Sequence, residues 1–175
     1  MNVGLFSTDK FLVGRNLSLF IDLTEYFTLE RTIEQLIPFM TEKKVSGRMC
    51  DYLLTTFSKK NYCPVGNYDI RHLYDLVLRE SGGRTYFDPF NRISSGVEIF
   101  FSINSVKRTT TLAQMNFVRW YYFNGIHEFI QKNRSVIVAD MRNAYRQKSS
   151  VGKKRKREGH GTVIMWKKIT VYVNL

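Results

Sequence analysis

The segment Lys153-Lys154-Arg155-Lys156-Arg157 sets five cations side by side. Adjacent like charges repel one another, so such a run stays in water or meets anions. The chemistry open to it is recognition of a polyanion. That means the phosphates of DNA or RNA, or the acidic pockets of a nuclear import carrier, which read short runs of this kind. Arg142, Arg146 and Lys148 precede the run, and Lys167 and Lys168 follow it. These ten residues are the expected nucleic-acid contacts. Point charges hold phosphates without reading bases, so they imply no sequence preference.

The placement of charge strengthens this reading. The chain has 175 residues, with 27 Lys and Arg against 15 Asp and Glu and a formal net charge of +12. From Lys132 to Lys168 there are twelve basic and two acidic residues, a net of +10, whereas residues 1–131 carry only +2. The first three quarters is therefore an ordinary near-neutral chain, and the basic character belongs to the last quarter. Hydrophobic residues at 43% and aromatics at 14% supply enough apolar material for a core. That excludes a disordered or collagen-like chain.

Other candidates are weaker. Trp120-Tyr121-Tyr122-Phe123 and Trp166 lie near the basic region and could stack on bases if exposed; packing in the core is the favoured reading. Lys107-Arg108 before Thr109-Thr110-Thr111 could hold a phosphate at a helix start, although Thr111 serves equally as a plain cap. The histidines His72, His127 and His160 form no HExxH, and no Cys/His set has zinc spacing. Asp69, Asp75, Glu80 and Asp88 could pair only in space, and Asp88 before Pro89 reads as a turn initiator. No catalytic residue, metal or cofactor is expected. Cys50 and Cys63 read as buried free thiols of a reducing, intracellular compartment. No signal peptide or membrane insertion is expected.

The elements that position the basic segment follow from periodicity. Leu17, Leu19, Ile21 and Leu23 alternate and predict a strand. Thr28 is expected to cap a helix carrying Leu29, Ile33 and Leu36, ended by Pro38. A second helix is predicted from Ser46 to about Lys59, with Met49, Leu53, Leu54 and Phe57 inward, then a loop over Asn61 to Tyr68. A third starts at the cap Asp69, uses Ile70, Leu73, Leu76 and Val77, and stops at Ser81-Gly82-Gly83. Val97, Ile99, Phe101 and Ile103 predict a strand, and Thr111 with Gln114 a capping box. Helical pieces are expected on either side of Gly125 and over Val136 to Arg146. Residues 147–161 read as a basic flexible loop, and Val163 to Val173 as a closing strand. The expected fold is a single α+β domain over residues 1–175. About five helices pack on a small, mostly antiparallel sheet, with the basic loop before the last strand.

Three segments in this order carry a resemblance: Phe87-Asp88-Pro89-Phe90-Asn91-Arg92, Thr109 to Trp120, and the basic run with its closing strand. Together they resemble a group of small basic proteins encoded by large nucleocytoplasmic DNA viruses. The resemblance spans roughly residues 45 to 175, judged by motif order. The chain departs from that pattern at Asn91, where the group has Cys, and at Phe117-Val118. The first departure argues against a metal role there. The resemblance implies a viral setting, in the host nucleus, viral factory or virion, and brings no catalytic residue. The resulting expectation is a non-enzymatic nucleic-acid-binding protein. The alternative is a small virion or assembly component whose basic segment docks on an acidic partner, other virion proteins or the packaged genome.

Overall fold

The computed structural model describes residues 6–29, 32–37, 47–90 and 96–155, excepting the side chains of Leu29 and of 148–155. Among the described residues, five helices and two two-stranded antiparallel sheets make an α+β fold. The chain divides into two compact units, Met1–Met141 and Arg142–Leu175. Among the described residues, both sheets and the buried core belong to the first. The described part of the second is the end of one long helix.

Helix α1 spans Gly14–Leu29, where alternation predicted a strand. The reason lies in a second period. Leu19, Leu23 and Phe27 recur every four residues, and the last two are fully buried, while Leu17 and Ile21 remain exposed. A 3-10 turn at Thr32–Leu36 buries Ile33 and Leu36 in place of the predicted helix from Thr28. Pro38 lies outside the described residues. Helix α2 begins at Gly47–Tyr52, widens into a π-helical stretch at Leu53–Phe57 and closes at Ser58–Lys60. Met49, Leu53, Leu54 and Phe57 are buried as expected.

The predicted loop after α2 contains a small hairpin, β1 (Pro64–Val65) and β2 (Tyr68–Asp69), turned at Gly66 with φ +57°. Asp69 then caps helix α3 (Ile70–Glu80), accepting from the Arg71 amide at 2.8 Å. Strands β3 (Glu98–Ile103) and β4 (Val106–Thr111) pair through a tight turn. Its central residues Asn104 and Ser105 take φ of 49° and 66°, the twist a two-residue hairpin requires. β3 buries Ile99, Phe101 and Ile103 as predicted.

Helix α4 (Leu112–Phe123) opens with the predicted capping box, Thr111 and Gln114 bonding reciprocally. Seven of its twelve residues are buried, including Met115, Phe117 and Tyr121. Around it Phe87 meets Phe117 at 5.3 Å and Trp120 edge-on at 5.2 Å. Gly125, with φ +67°, makes the break before helix α5 (Ile126–Arg155). The pieces predicted after Gly125 are one helix of 30 residues, and residues 147–155 of the expected basic loop are its continuation. Lys, Arg and Gln are good helix formers, and cations near a helix C-terminus complement the macrodipole. A single Gly152 costs about 1 kcal/mol against Ala, too little to stop it. The rest of the expected loop, 156–161, and the closing strand lie outside the described residues.

Within the aromatic cluster the exposures separate sharply. Phe87 is 1% exposed and Phe123 80%. Phe87→Ala should therefore cost about 3–5 kcal/mol of unfolding free energy. Phe123→Ala should stay within roughly 0.5 kcal/mol of wild type, with both read from urea denaturation.

Candidate functional site

Helix α5 changes character along its length. Ile126, Ile130 and Ile137 are fully buried on one stripe. Among residues 138–147 none is buried. Arg142 and Arg146, four apart and so on one face, are exposed. Lys148, Lys153, Lys154 and Arg155 continue on the same helical backbone. Lys156, Arg157, Lys167 and Lys168 lie outside the described residues, as do Trp166 and His160. Six of the ten expected contacts are thus carried by one helix, Arg142 and Arg146 as the expected helical piece placed them and Lys148, Lys153, Lys154 and Arg155 where a loop was expected. The only acid in α5 after Glu128 is Asp140, and its carboxylate accepts from the Tyr52 hydroxyl.

The other cations and aromatics sort differently. Lys107 and Arg108 sit in β4, away from any helix start, and the α4 N-terminus is occupied by its own capping box. Trp120 and Tyr121 pack inside the aromatic cluster, and Phe123 alone of that run is well exposed. Sequence reasoning missed an aromatic-cation group at the end of α2. There Lys59 and Lys60 are exposed, and Tyr62 is 77% exposed. The signal was present as two lysines and a tyrosine at the mouth of a Pro- and Gly-containing segment.

Three of the four acids weighed for chemistry, Asp69, Asp75 and Asp88, have structural duties. Asp69 accepts from the Cys63 and Arg71 amides, both at 2.8 Å. Asp75 pairs with Arg71 at 2.7 Å, and Asp88 accepts from the Phe90 amide as a turn initiator does. His72 is exposed on α3. His127 lies 3.4 Å from the Tyr121 hydroxyl and 2.8 Å from the Gln131 amide nitrogen. No group of three or more His, Cys, Asp or Glu that could hold a metal occurs among the described residues. No helix among them is long and apolar enough to cross a membrane.

Two hollows flank α4 and α5. A groove of about 750 Å³ is lined by Leu73, Leu76 and Val77 of α3 and by Arg119 and Trp120 of α4. Leu73, Leu76 and Val77, predicted to face inward, thus border open space, while Tyr74 takes the buried place beside Ile70. The Arg119 guanidinium donates to Asn116 Oδ1 at 3.1 Å, and its burial lowers its pKa. A second hollow of about 480 Å³ lies between the β1–β2 hairpin and the first turns of α5.

The family model for DUF7197, a family of unknown function, matches residues 6–163, and the chain belongs to that family. No match was found among curated proteins or among solved structures.

Both cysteines are buried and free. Burial pushes the Cys50 thiol up from 9.0 to about 12, opposed by its hydrogen bond with Tyr121. Burial likewise raises the Cys63 thiol to about 11, helped by the Asp69 charge. Such thiols are poor nucleophiles at neutral pH. Below pH 9 they are neutral both folded and unfolded. Above it the unfolded chain loses protons that the folded chain keeps, so stability falls as pH rises toward the folded values. Urea midpoints should therefore drop between neutral pH and about pH 10, and less steeply for Cys50→Ala.

Proposed function

We propose that the protein binds nucleic acid without catalysing a reaction, gripping phosphates along the C-terminal part of α5. One observation carries this reading. From Lys132 to Arg155 the helix holds eight basic residues against the single acid Asp140, and that acid is already engaged by Tyr52. The segment therefore carries a net charge of +7, eight cations less one acid, on a regular helical scaffold. From Arg142 to Arg155 a helix runs roughly 20 Å, against about 3.4 Å between phosphates along one strand. Several phosphates fall within reach of one helix face. The basic run beyond it, through Lys156 and Arg157, would extend the contact or serve an import carrier. A viral setting, in host nucleus, viral factory or virion, belongs to the same proposal.

A second reading has its own support. Val13, Leu17 and Ile21 stand exposed at four-residue spacing near the start of α1. An apolar stripe of that kind suits a protein contact, as a small virion or assembly component would need.

The test is a salt titration of affinity for a short duplex and a short single strand. Each phosphate contact releases counterions, so log affinity should fall steeply with log salt. Arg142→Gln with Arg146→Gln should weaken binding to every sequence alike. It should also reduce the salt slope by about 2, one for each lost phosphate contact. An unchanged slope in that variant would refute the assignment of α5. Self-association that Ile21→Lys abolishes, without any nucleic-acid binding, would favour the assembly reading.

A further inference from the structure

We propose that the outer edge of strand β4 binds an extended acidic segment of a partner protein, which adds to the hairpin as a further strand. This concerns a different surface from α5 and is independent of the nucleic-acid reading. The register exposes the edge. Phe100 of β3 exchanges both its backbone bonds with Ser7, at 2.8 and 2.9 Å, and so points its amide and carbonyl away from β4. In an antiparallel ladder, a residue whose groups point away is opposed by one that does the same. Phe100 is opposed by Thr109 and, two places along, Ser102 by Lys107. Thr109 and Lys107 therefore each turn an N–H and a C=O to the outside of β4. No described residue bonds these groups, and they form the open row that strand addition uses.

The charge on the edge selects the occupant. Successive side chains of a strand point to opposite faces, so Lys107 and Arg108 set one cation on each face. Neither forms an ion pair with a described residue. They line a hollow of about 670 Å³, bordered by a single acid, Asp9, from the segment beside β3. A phosphate backbone carries acceptors only, so the carbonyls of Lys107 and Thr109 would oppose it. A second β4 would bring two Lys107-Arg108 pairs together, and like charges opposed across strands destabilise. An acidic peptide meets both demands. Its backbone supplies donors and acceptors in turn, and its carboxylates supply the opposite charge. Cations on an edge discourage neutral and basic strands, and the same cations favour an acidic one.

The open stretch has a defined end. The Thr111 amide already donates to Gln114 Oε1 at 3.2 Å, and Thr110 and Thr111 are buried. Docking is thus confined to Val106–Thr109, where Val106 and Lys107 are exposed.

The experiment is fluorescence anisotropy on the full chain, followed by residue-resolved amide exchange of the complex. The probe is a labelled peptide of repeating valine-glutamate-glutamate, which puts acids on both faces of a strand. Its controls are the same peptide with lysine for glutamate, the acidic peptide N-methylated throughout, and a short single-stranded oligonucleotide. Wild type should prefer the acidic peptide to the lysine peptide by at least about fivefold, and Lys107→Glu should lose about fivefold on the acidic one. The N-methylated peptide should lose more than about tenfold, because it donates no backbone hydrogen bond; this control leaves the protein unaltered. Exchange should slow at Lys107 and Thr109 and change far less at Arg108 and Thr110, whose amides face β3. No binding of the acidic peptide, equal affinity for the lysine peptide, or binding without protection of Lys107 and Thr109 would overturn the proposal. Protection of those two amides by the oligonucleotide and not by the peptide would assign the edge to nucleic acid instead. Slow exchange at both in the free chain would also overturn it, because the edge would already be covered; loss of that protection on dilution would identify a second copy as the cover.

Discussion

Helix α4 is buried around most of its circumference, and the first unit depends on that burial. Leu112, Met115, Phe117, Val118 and Tyr121 give it no single apolar stripe, so it is sheltered on several sides at once. It packs against α1, β4 and the 3-10 turn at Thr32–Leu36. Phe87 closes over it from the irregular segment after α3. The capping box at Thr111 fixes where the helix starts, directly after β4, and Gly125 fixes where it must turn. Asn116 ties the same helix to the Tyr86 carbonyl at 2.8 Å. The start of α5 follows from that turn, with Ile126 and Ile130 buried as soon as the chain reverses.

The arrangement separates two tasks along a single helix. The first half of α5 contributes to the core through three isoleucines. Beyond Ile137, residues 138–147 bury no side chain, and the basic residues are concentrated in this half of the helix. A run of cations is unstable where its neighbours must desolvate it, and costs little where water surrounds it. Concentrating the basic residues after the last buried isoleucine leaves the core free of that penalty. The one acid in the stretch, Asp140, accepts from the Tyr52 hydroxyl and offsets only one of the eight cations from Lys132 to Arg155.

Much of this was legible in the residues. The core faces of α2 and β3, the Asp69 cap, the Gly82-Gly83 stop and the Thr111–Gln114 box each rest on a local rule, and local geometry obeys it. The failures have equally local causes. Leu17 to Leu23 satisfies a period of two and a period of four together, and only Phe27, further along, favours the helix. Strand β4 carries little apolar alternation, with burial confined to its last residues. Its signals were instead the Asn104-Ser105 turn and three consecutive β-branched threonines. Residues 147–155 read as a loop because polar and basic composition resembles one, although those residues propagate a helix well once it exists. The cationic segment of the candidate site was visible from charge alone. The hollow beside Tyr62 was not, since it needs α2, the hairpin and α5 brought together, and one sequence does not show which distant residues meet.

Hydrogen–deuterium exchange of the full chain, with and without a saturating short single strand, addresses the central claim most directly. Binding through α5 should slow exchange in the helix beyond Ile137, where residues 138–147 bury no side chain, while β3 and β4 exchange as before. Protection confined to β3 and β4, or none anywhere at concentrations that give a bound complex, would contradict it.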